Sequence, residues 1–278
     1  MVKATTSRVG GGRMDASVRG GLRLLAGGLV AAMMLAVTHG ASAEGSEPEF
    51  EAQKWSFNGV FGTYDKGQLQ RGFKVYSEVC AGCHGLKLLS YRNLGEEGGP
   101  GFSEAEVKAI AASVEVKDGP NDEGEMFERP GLASDAFVSP FDNDNAARAS
   151  NNGALPPDLS VIAKGRKGGP DYLYALLTGY KDPPEDFKLQ EGMNYNTVFR
   201  GHQIAMPPPV SDDAIEYDDG TPASAENLAR DVSAFLMWAA EPKLEARKRI
   251  GFQVIIFLLI LSGLMFLTVR KIWEGEPH

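Results

Sequence analysis

The stretch Cys80-Ala81-Gly82-Cys83-His84 decides how this chain is read. It holds both cysteines of the protein, and a histidine follows the second at once. C-x-x-C-H is the attachment signature of a c-type haem. The two thiols form thioethers with the porphyrin vinyl groups, and the histidine gives the iron an axial nitrogen. One helical turn brings both sulfurs and the imidazole to one edge of a rigid ring. Competing readings fit less well. A redox dithiol of the thioredoxin type needs a βαβ context, and the residues before Cys80 predict none. A structural zinc ion needs about four ligands. Of the four histidines, His39 and His278 lie in terminal segments, leaving His84 and His202. A zinc set drawn from these crowds Cys, Cys and His together, unlike the usual paired spacing.

Upstream of the motif, Leu69, Phe73, Tyr76 and Cys80 recur on one helical face. The spacing predicts a helix from Gln68 to Cys80 that packs on the core and delivers Cys80 to the haem edge. Gly85 lets the backbone pass close to the porphyrin. Further back, Glu44 to Lys66 reads as irregular, with turns at Asn58-Gly59 and at Gly62.

Residues 1–43 read as a removable export signal. A basic, acid-poor start leads into an apolar run from Leu24 to Val37, and Ala41-Ser42-Ala43 supplies a small-residue cleavage site. Cleavage there makes Glu44 the first mature residue. A mitochondrial presequence is the alternative, since the extreme N-terminus is rich in arginine. Export suits covalent haem, which is attached outside the bacterial cytoplasm or in the intermembrane space. Without those residues the formal charge of −9 becomes about −13. Such an acidic chain argues against nucleic acid and for repulsion or a basic partner. Hydrophobic residues make up 43% of the chain, enough for a real core.

Downstream, Ser90 to Gly101 reads as loop. Ser103-Glu104-Ala105-Glu106 is a capping box, predicting a helix from Glu104 to Val114. An acidic loop with Asp118, Asp122, Glu123, Glu125 and Glu128 ends in Arg129-Pro130-Gly131, where the arginine is fixed in a turn. Asn151 to Leu159 is a stiff turn in which Asp158 caps a short helix. Gly169-Pro170 opens a helix through Leu177 that Gly179 stops. Asp182 to Gly192 is polar loop. Ser224 caps a helix to about Ala240, with Leu228, Val232, Phe235, Leu236 and Ala239 as its apolar stripe. Ile250 to Val269 carries no charge, and at 1.5 Å per residue it spans a bilayer core of about 30 Å. Three domains follow: 1–43 signal, 44–243 exported haem domain, and 244–278 membrane anchor with a short tail. Arg247-Lys248-Arg249 outweigh Arg270-Lys271, so the positive-inside rule puts the N-terminal side of the span in the cytoplasm. The export signal points the other way, and a haem domain attached outside must already have crossed.

An iron with one histidine has a second axial position. Methionine there gives an electron carrier, whereas an open position gives a ligand sensor or an enzyme. The candidates are Met126, Met193, His202, Met206 and Met237. Met237 falls in an apolar helix, where methionine serves packing. Met126 and Met193 fall in polar loops. Met206 is followed by Pro207-Pro208-Pro209, which stiffen its loop. Rigidity favours Met206, and the residues alone leave the others open.

Several segments, in order along the chain, resemble the cytochrome c1 family. They are Gln70-Arg71-Gly72-Phe73-Lys74-Val75-Tyr76 running into the haem motif, Arg129-Pro130-Gly131, Asn151 to Ser160, Leu177-Thr178-Gly179-Tyr180, Ala205-Met206-Pro207-Pro208, Asp218 to Pro222, and Trp238 to Pro242. The pattern after the haem motif is similar to the bacterial branch. The resemblance implies a mainly α, cytochrome c-like haem domain with large loop insertions plus one C-terminal transmembrane helix. It implies one covalent haem c on Cys80 and Cys83, axial ligands His84 and Met206, and Arg129 beside a haem propionate. Some bacterial members carry an extra disulfide. This chain has no cysteine left to form it.

The function implied is that of the haem subunit of a quinol–cytochrome c reductase in a respiratory or photosynthetic chain. It takes an electron from the Rieske iron–sulfur protein and passes it to a soluble cytochrome c, anchored in lipid beside cytochrome b. The chain has no second cofactor motif, so it is not an enzyme on its own. Its expected place is the bacterial inner or intracytoplasmic membrane with the haem domain periplasmic. The alternative is the mitochondrial inner membrane facing the intermembrane space. The acidic loop and the cluster Asp212, Asp213, Glu216, Asp218, Asp219 would steer a basic cytochrome c.

Overall fold

Two helices that touch backbone to side chain organise the protein. In this computed structural model, which describes residues 50–275, helix α1 spans Lys66–Val75 and helix α6 spans Ala225–Ala240. They cross at Gly72. A Cβ on Gly72 would lie 2.1 Å from the Asp231 carbonyl oxygen and 2.7 Å from Phe235 Cβ, so only glycine permits the approach. The neighbours of Gly72 lock the crossing. Arg71 Nε donates to the buried Asp231 carboxylate at 2.7 Å, and Gln68 Nε2 donates to it at 3.0 Å. Phe73 and Tyr76 each place a ring 5.8 Å from Phe235. Gln70 Nε2 donates to Pro100 O. The Gln70–Phe73 segment is thus a helix-crossing device, with a separate contact for each residue.

The expected helix from Gln68 to Cys80 begins earlier, at Lys66, because the Asp65 side chain accepts from the Gln68 amide. It also changes pitch. Tyr76–Cys80 is a π-helical turn in which the Ala81 amide reaches back to Tyr76 O. The wider turn still keeps the predicted stripe inward: Leu69 and Tyr76 are buried, while Phe73 and Cys80 pack against the core from its edge.

The rest is short helices and long loops around this pair. A 3-10 turn at Tyr91–Gly95 interrupts the segment expected to be loop, closed by a Ser90/Asn93 capping box. Helix α2 is Glu104–Ala112, with the reciprocal Ser103/Glu106 box in place; it stops before the expected Val114. Strands β1, Glu115–Asp118, and β2, Phe127–Pro130, form an antiparallel hairpin with Val116 opposite Arg129. Arg129 therefore sits in a strand, not in the turn expected from Arg-Pro-Gly. Helices α3, Asp144–Ser150, and α4, Ile162–Gly165, flank the Asn151–Leu159 turn. Asp158 does not cap α4, whose N-cap is Val161; the carboxylate is used elsewhere, as described below.

Helix α5, Pro170–Thr178, starts at the proline and stops at Gly179. Strands β3, Asn194–Tyr195, and β4, Gln203–Ile204, make a second small hairpin. Among the described residues these are seven α-helices and little sheet, a mainly α fold of the expected class.

Helix α7, Leu244–Ile272, contains the whole apolar run and extends past it at both ends. It is long and apolar enough to cross a membrane, and its apolar window is not buried by the protein. The expected signal at 1–43, with His39, and the terminal His278 lie outside the described residues.

Replacing Gly72 by alanine is expected to lower the unfolding free energy by about 1–3 kcal/mol through forced separation of the helices. Lys66→Ala on the exposed side of α1 should stay within about 0.5 kcal/mol. Chemical unfolding of the two variants measures both.

Candidate haem site

The π turn of α1 ends at Cys80, and the chain then folds tightly back. Cys83 N and His84 N both donate to Cys80 O, at 3.0 and 2.9 Å. Both thiols are free, Cys80 half-buried and Cys83 exposed. Burial pushes the Cys80 thiol up to about 12. Buried Tyr76 reaches over the turn and its hydroxyl donates to His84 O at 3.0 Å.

A second strand of chain straps this turn. His84 Nδ1 lies 2.7 Å from Pro157 O. A carbonyl only accepts, so Nδ1 carries the proton and the Nε2 lone pair stays available to a metal. Burial holds the imidazole below its ordinary pKa, against the opposing effect of the Pro157 bond, and so favours the neutral ring a metal needs. The Asp158 carboxylate accepts from Lys87 N and from Ser160 N, each at 2.9 Å. Ser160 Oγ accepts from Leu88 N, and Leu159 N donates to Gly85 O. A Cβ on Gly85 would meet Asp158 Oδ2 and Ser139 Oγ at 3.1 Å each, so the glycine makes room for this strap.

Met206 is held separately. Its carbonyl accepts from the Tyr180 hydroxyl at 3.1 Å and from Asn194 Nδ2 at 3.4 Å. Asn196, fully buried, ties the base of this hairpin to α5. Its Nδ2 donates to Leu176 O, and its Oδ1 accepts from Val198 N and Phe199 N. The other axial candidates have different surroundings. His202 has positive φ, stacks against Tyr195 at 5.7 Å and turns Nδ1 to Asn196 O. Met126 is exposed on the acidic hairpin. Met193 lies in the polar loop before β3, and Met237 packs on the core from α6. Arg129 turns its guanidinium to Asp118 and to Asp135, the latter through two nitrogens at 2.7 and 3.1 Å.

The residues of the motif fit a covalent haem. Two free thiols stand within one turn, and beside them is an imidazole whose Nδ1 is fixed and whose Nε2 is free. Among the described residues, no three His, Cys, Asp or Glu side chains converge as a bare metal ion requires. Sequence reading missed Tyr76, Pro157 and Asp158 as positioners of His84, and Tyr180 and Asn194 as positioners of Met206. The bonds that Pro157 and Met206 accept are to backbone carbonyls, which carry no residue signature.

The profile of the Cytochrome C1 family matches residues 55–276. The chain belongs to the cytochrome c1 family. A protein of Rhodospirillum rubrum named cytochrome c1 is 45% identical over 90% of this chain and 97% of its own length. A cytochrome c1 of Arabidopsis thaliana, named a mitochondrial heme protein, is 47% identical over 90% of the chain and 80% of its own. A Bradyrhizobium diazoefficiens protein named cytochrome b/c1 is 49% identical over 96% of the chain. The chain spans only 41% of that relative's length. The cofactor of the chain is covalently bound haem c, and the chain is a haem c electron-transfer subunit of a cytochrome bc1 complex.

Tyr76→Phe removes one buried hydrogen bond and should cost about 0.5–1.5 kcal/mol. Chemical unfolding reads the loss, and the haem-to-protein ratio should stay unchanged, because neither thiol nor imidazole is touched.

Proposed function

We propose that this cytochrome c1 carries electrons singly from the Rieske iron–sulfur protein to a soluble cytochrome c. Cys80 and Cys83 hold the haem, and His84 and Met206 close its two axial positions. Haem c supplies a reversible one-electron couple at fixed geometry, and a methionine ligand raises its potential. One observation carries the closed-site reading. The segment from Pro157 to Tyr180 is bonded at its start to the His84 ring and at its end to the Met206 carbonyl. A single span of chain therefore fixes both proposed ligands, as a carrier that must not reorganise requires. An enzyme or sensor would leave the second position open.

The haem domain, residues 44–243, is placed on the periplasmic side of a bacterial inner or intracytoplasmic membrane, with α7 as its single span. Cytochrome b is the neighbour of that span. The fused b/c1 name of the Bradyrhizobium relative supports this. A propionate beside Arg129 would be a third anion on one cation, because Asp118 and Asp135 already hold it. The acidic hairpin is the proposed steering surface, with Asp122, Glu123 and Glu125 exposed at its tip. In the second acidic cluster, Asp218 pairs with Lys74 and Asp219 with Arg71, both at 2.8 Å, so that cluster serves the fold as well as the field.

Met206→Leu in the assembled complex should lower the haem midpoint potential and admit carbon monoxide to the reduced iron. An unchanged potential and continued exclusion of carbon monoxide remove Met206 from the site. Steering predicts that the second-order rate of reduction of a basic cytochrome c falls at least about tenfold from low to high ionic strength. A rate independent of salt rules the acidic surface out as a guide.

A further inference from the structure

The loop before α1 points two large apolar side chains outward. Val60 is 65% exposed and Phe61 is 78% exposed. Nothing from Ser56 to Tyr64 is charged, although the chain as a whole is rich in charge. The loop is not free to swing. Gly59 has a φ of +73°, and a Cβ on Gly62 would lie 2.0 Å from Asn58 O, so two glycines set its shape. Thr63 N donates to Ser56 O and Asn58 N to Trp55 O, closing its base.

The loop is fastened to the anchor helix. Lys248 Nζ donates to Phe57 O at 2.7 Å and to Gly62 O at 2.9 Å. The Tyr64 amide donates to Glu245 at 2.8 Å. At the tip, the Phe61 ring meets the Phe252 ring edge-on at 5.8 Å. Loop and helix belong to the same compact unit, residues 48–278.

That ring contact sets a depth. Phe252 is the third residue of the uncharged run Ile250–Val269, about 3 Å along the axis from its start. The run is about 30 Å long, matching the hydrocarbon core, so Phe252 cannot leave the bilayer edge without pulling Arg270 toward its other face. Phe61 lies at the same level. At the base of the loop the carbonyls of Phe57 and Gly62 are taken by Lys248, and the amides of Asn58 and Thr63 are bonded to Trp55 O and Ser56 O. The Lys248 ammonium is held by two loop carbonyls, so this charge near the start of the apolar run is partnered.

We propose that Asn58–Gly62 dips into the lipid surface beside α7, with Val60 and Phe61 among the first acyl carbons. The haem domain then touches the bilayer at two points, which fixes its tilt as well as its height. The proposal rests on α7 being a membrane span.

The test uses spin labels on the full-length haem-loaded chain in phosphatidylcholine vesicles. Cys80 and Cys83 are consumed as thioethers, so a cysteine added by Phe61→Cys, or by Val60→Cys, labels alone. Leu259→Cys marks the span and Lys108→Cys marks water. Oxygen concentrates among acyl chains, whereas a nickel chelate stays in water. Labels at 61 and 60 should favour oxygen several-fold over nickel, as at 259, with the reverse at 108. A label at 61 as open to nickel as 108 overturns the proposal. Shielding from both reagents also overturns it, since protein then covers the loop. Oxygen preference at 259 but not at 61 sinks the loop alone. Its absence at 259 sinks the span and the loop with it.

Discussion

The candidate site depends on the near-contact of two helices at Gly72. The end of α1 carries Cys80, and α6 is followed within a few residues by the anchor α7. A helix pair separated by one extra methyl group would move the haem motif relative to both. The buried Asp231 of α6 adds directional control, because it accepts from Arg71 and Gln68 on the facing helix. A hydrophobic contact alone tolerates sliding. A carboxylate with two donors at fixed spacing does not, and replacing either side would strand a buried charge. The haem motif thus inherits its position from a crossing in which both backbone approach and register are specified.

Below that crossing, the two proposed axial ligands come from loops that do not pair with each other. What relates them is Pro157 to Tyr180. It begins as the strap on His84, passes through α4 and α5, and ends at the hydroxyl that holds Met206. Leu159, Ala163, Tyr172 and Leu173 bury this stretch in the same core that contains Phe235 and Trp238. The relation between the ligands is therefore a property of the core. After the polar loop 182–192 the hairpin is retied to α5 through Asn196.

Local chemistry explains which features were legible in the sequence. Ser103 and Ser224 act on residues three positions away, so capping boxes and caps read correctly from sequence alone. The stripe from Leu69 to Cys80 survived a change to π geometry because its burial is a matter of facing, which one wider turn does not reverse. Asp158 was misread for the opposite reason. An aspartate after two prolines has the local look of a helix cap, but its carboxylate is drawn to amides of Lys87 and Ser160, one of them seventy-one positions away in sequence. Arg129 was misplaced in a turn because its strand partner, Val116, lies across an acidic loop that periodicity does not bridge. Glycine in mid-helix costs about 1 kcal/mol against alanine, yet the sequence alone does not explain Gly72. Its reason sits on α6 and is invisible without the fold.

The same distinction bears on a conflict between two sequence signals. The basic excess before the apolar run reads as a cytoplasmic flank, while the expected export signal would send the preceding domain outward. Each of those basic residues has a partner in the folded domain. Arg247 and Lys164 hold Glu241, Lys243 holds Glu96, and Arg249 lies 3.6 Å from Glu97. Lys248 is engaged by the carbonyls of Phe57 and Gly62. The positive-inside rule counts Lys and Arg near the span ends whatever else they do. Here the cluster is a collar that seats the haem domain on the first turns of its anchor. Its presence is accounted for by that seating, so it weighs little as a sign of which side the domain occupies.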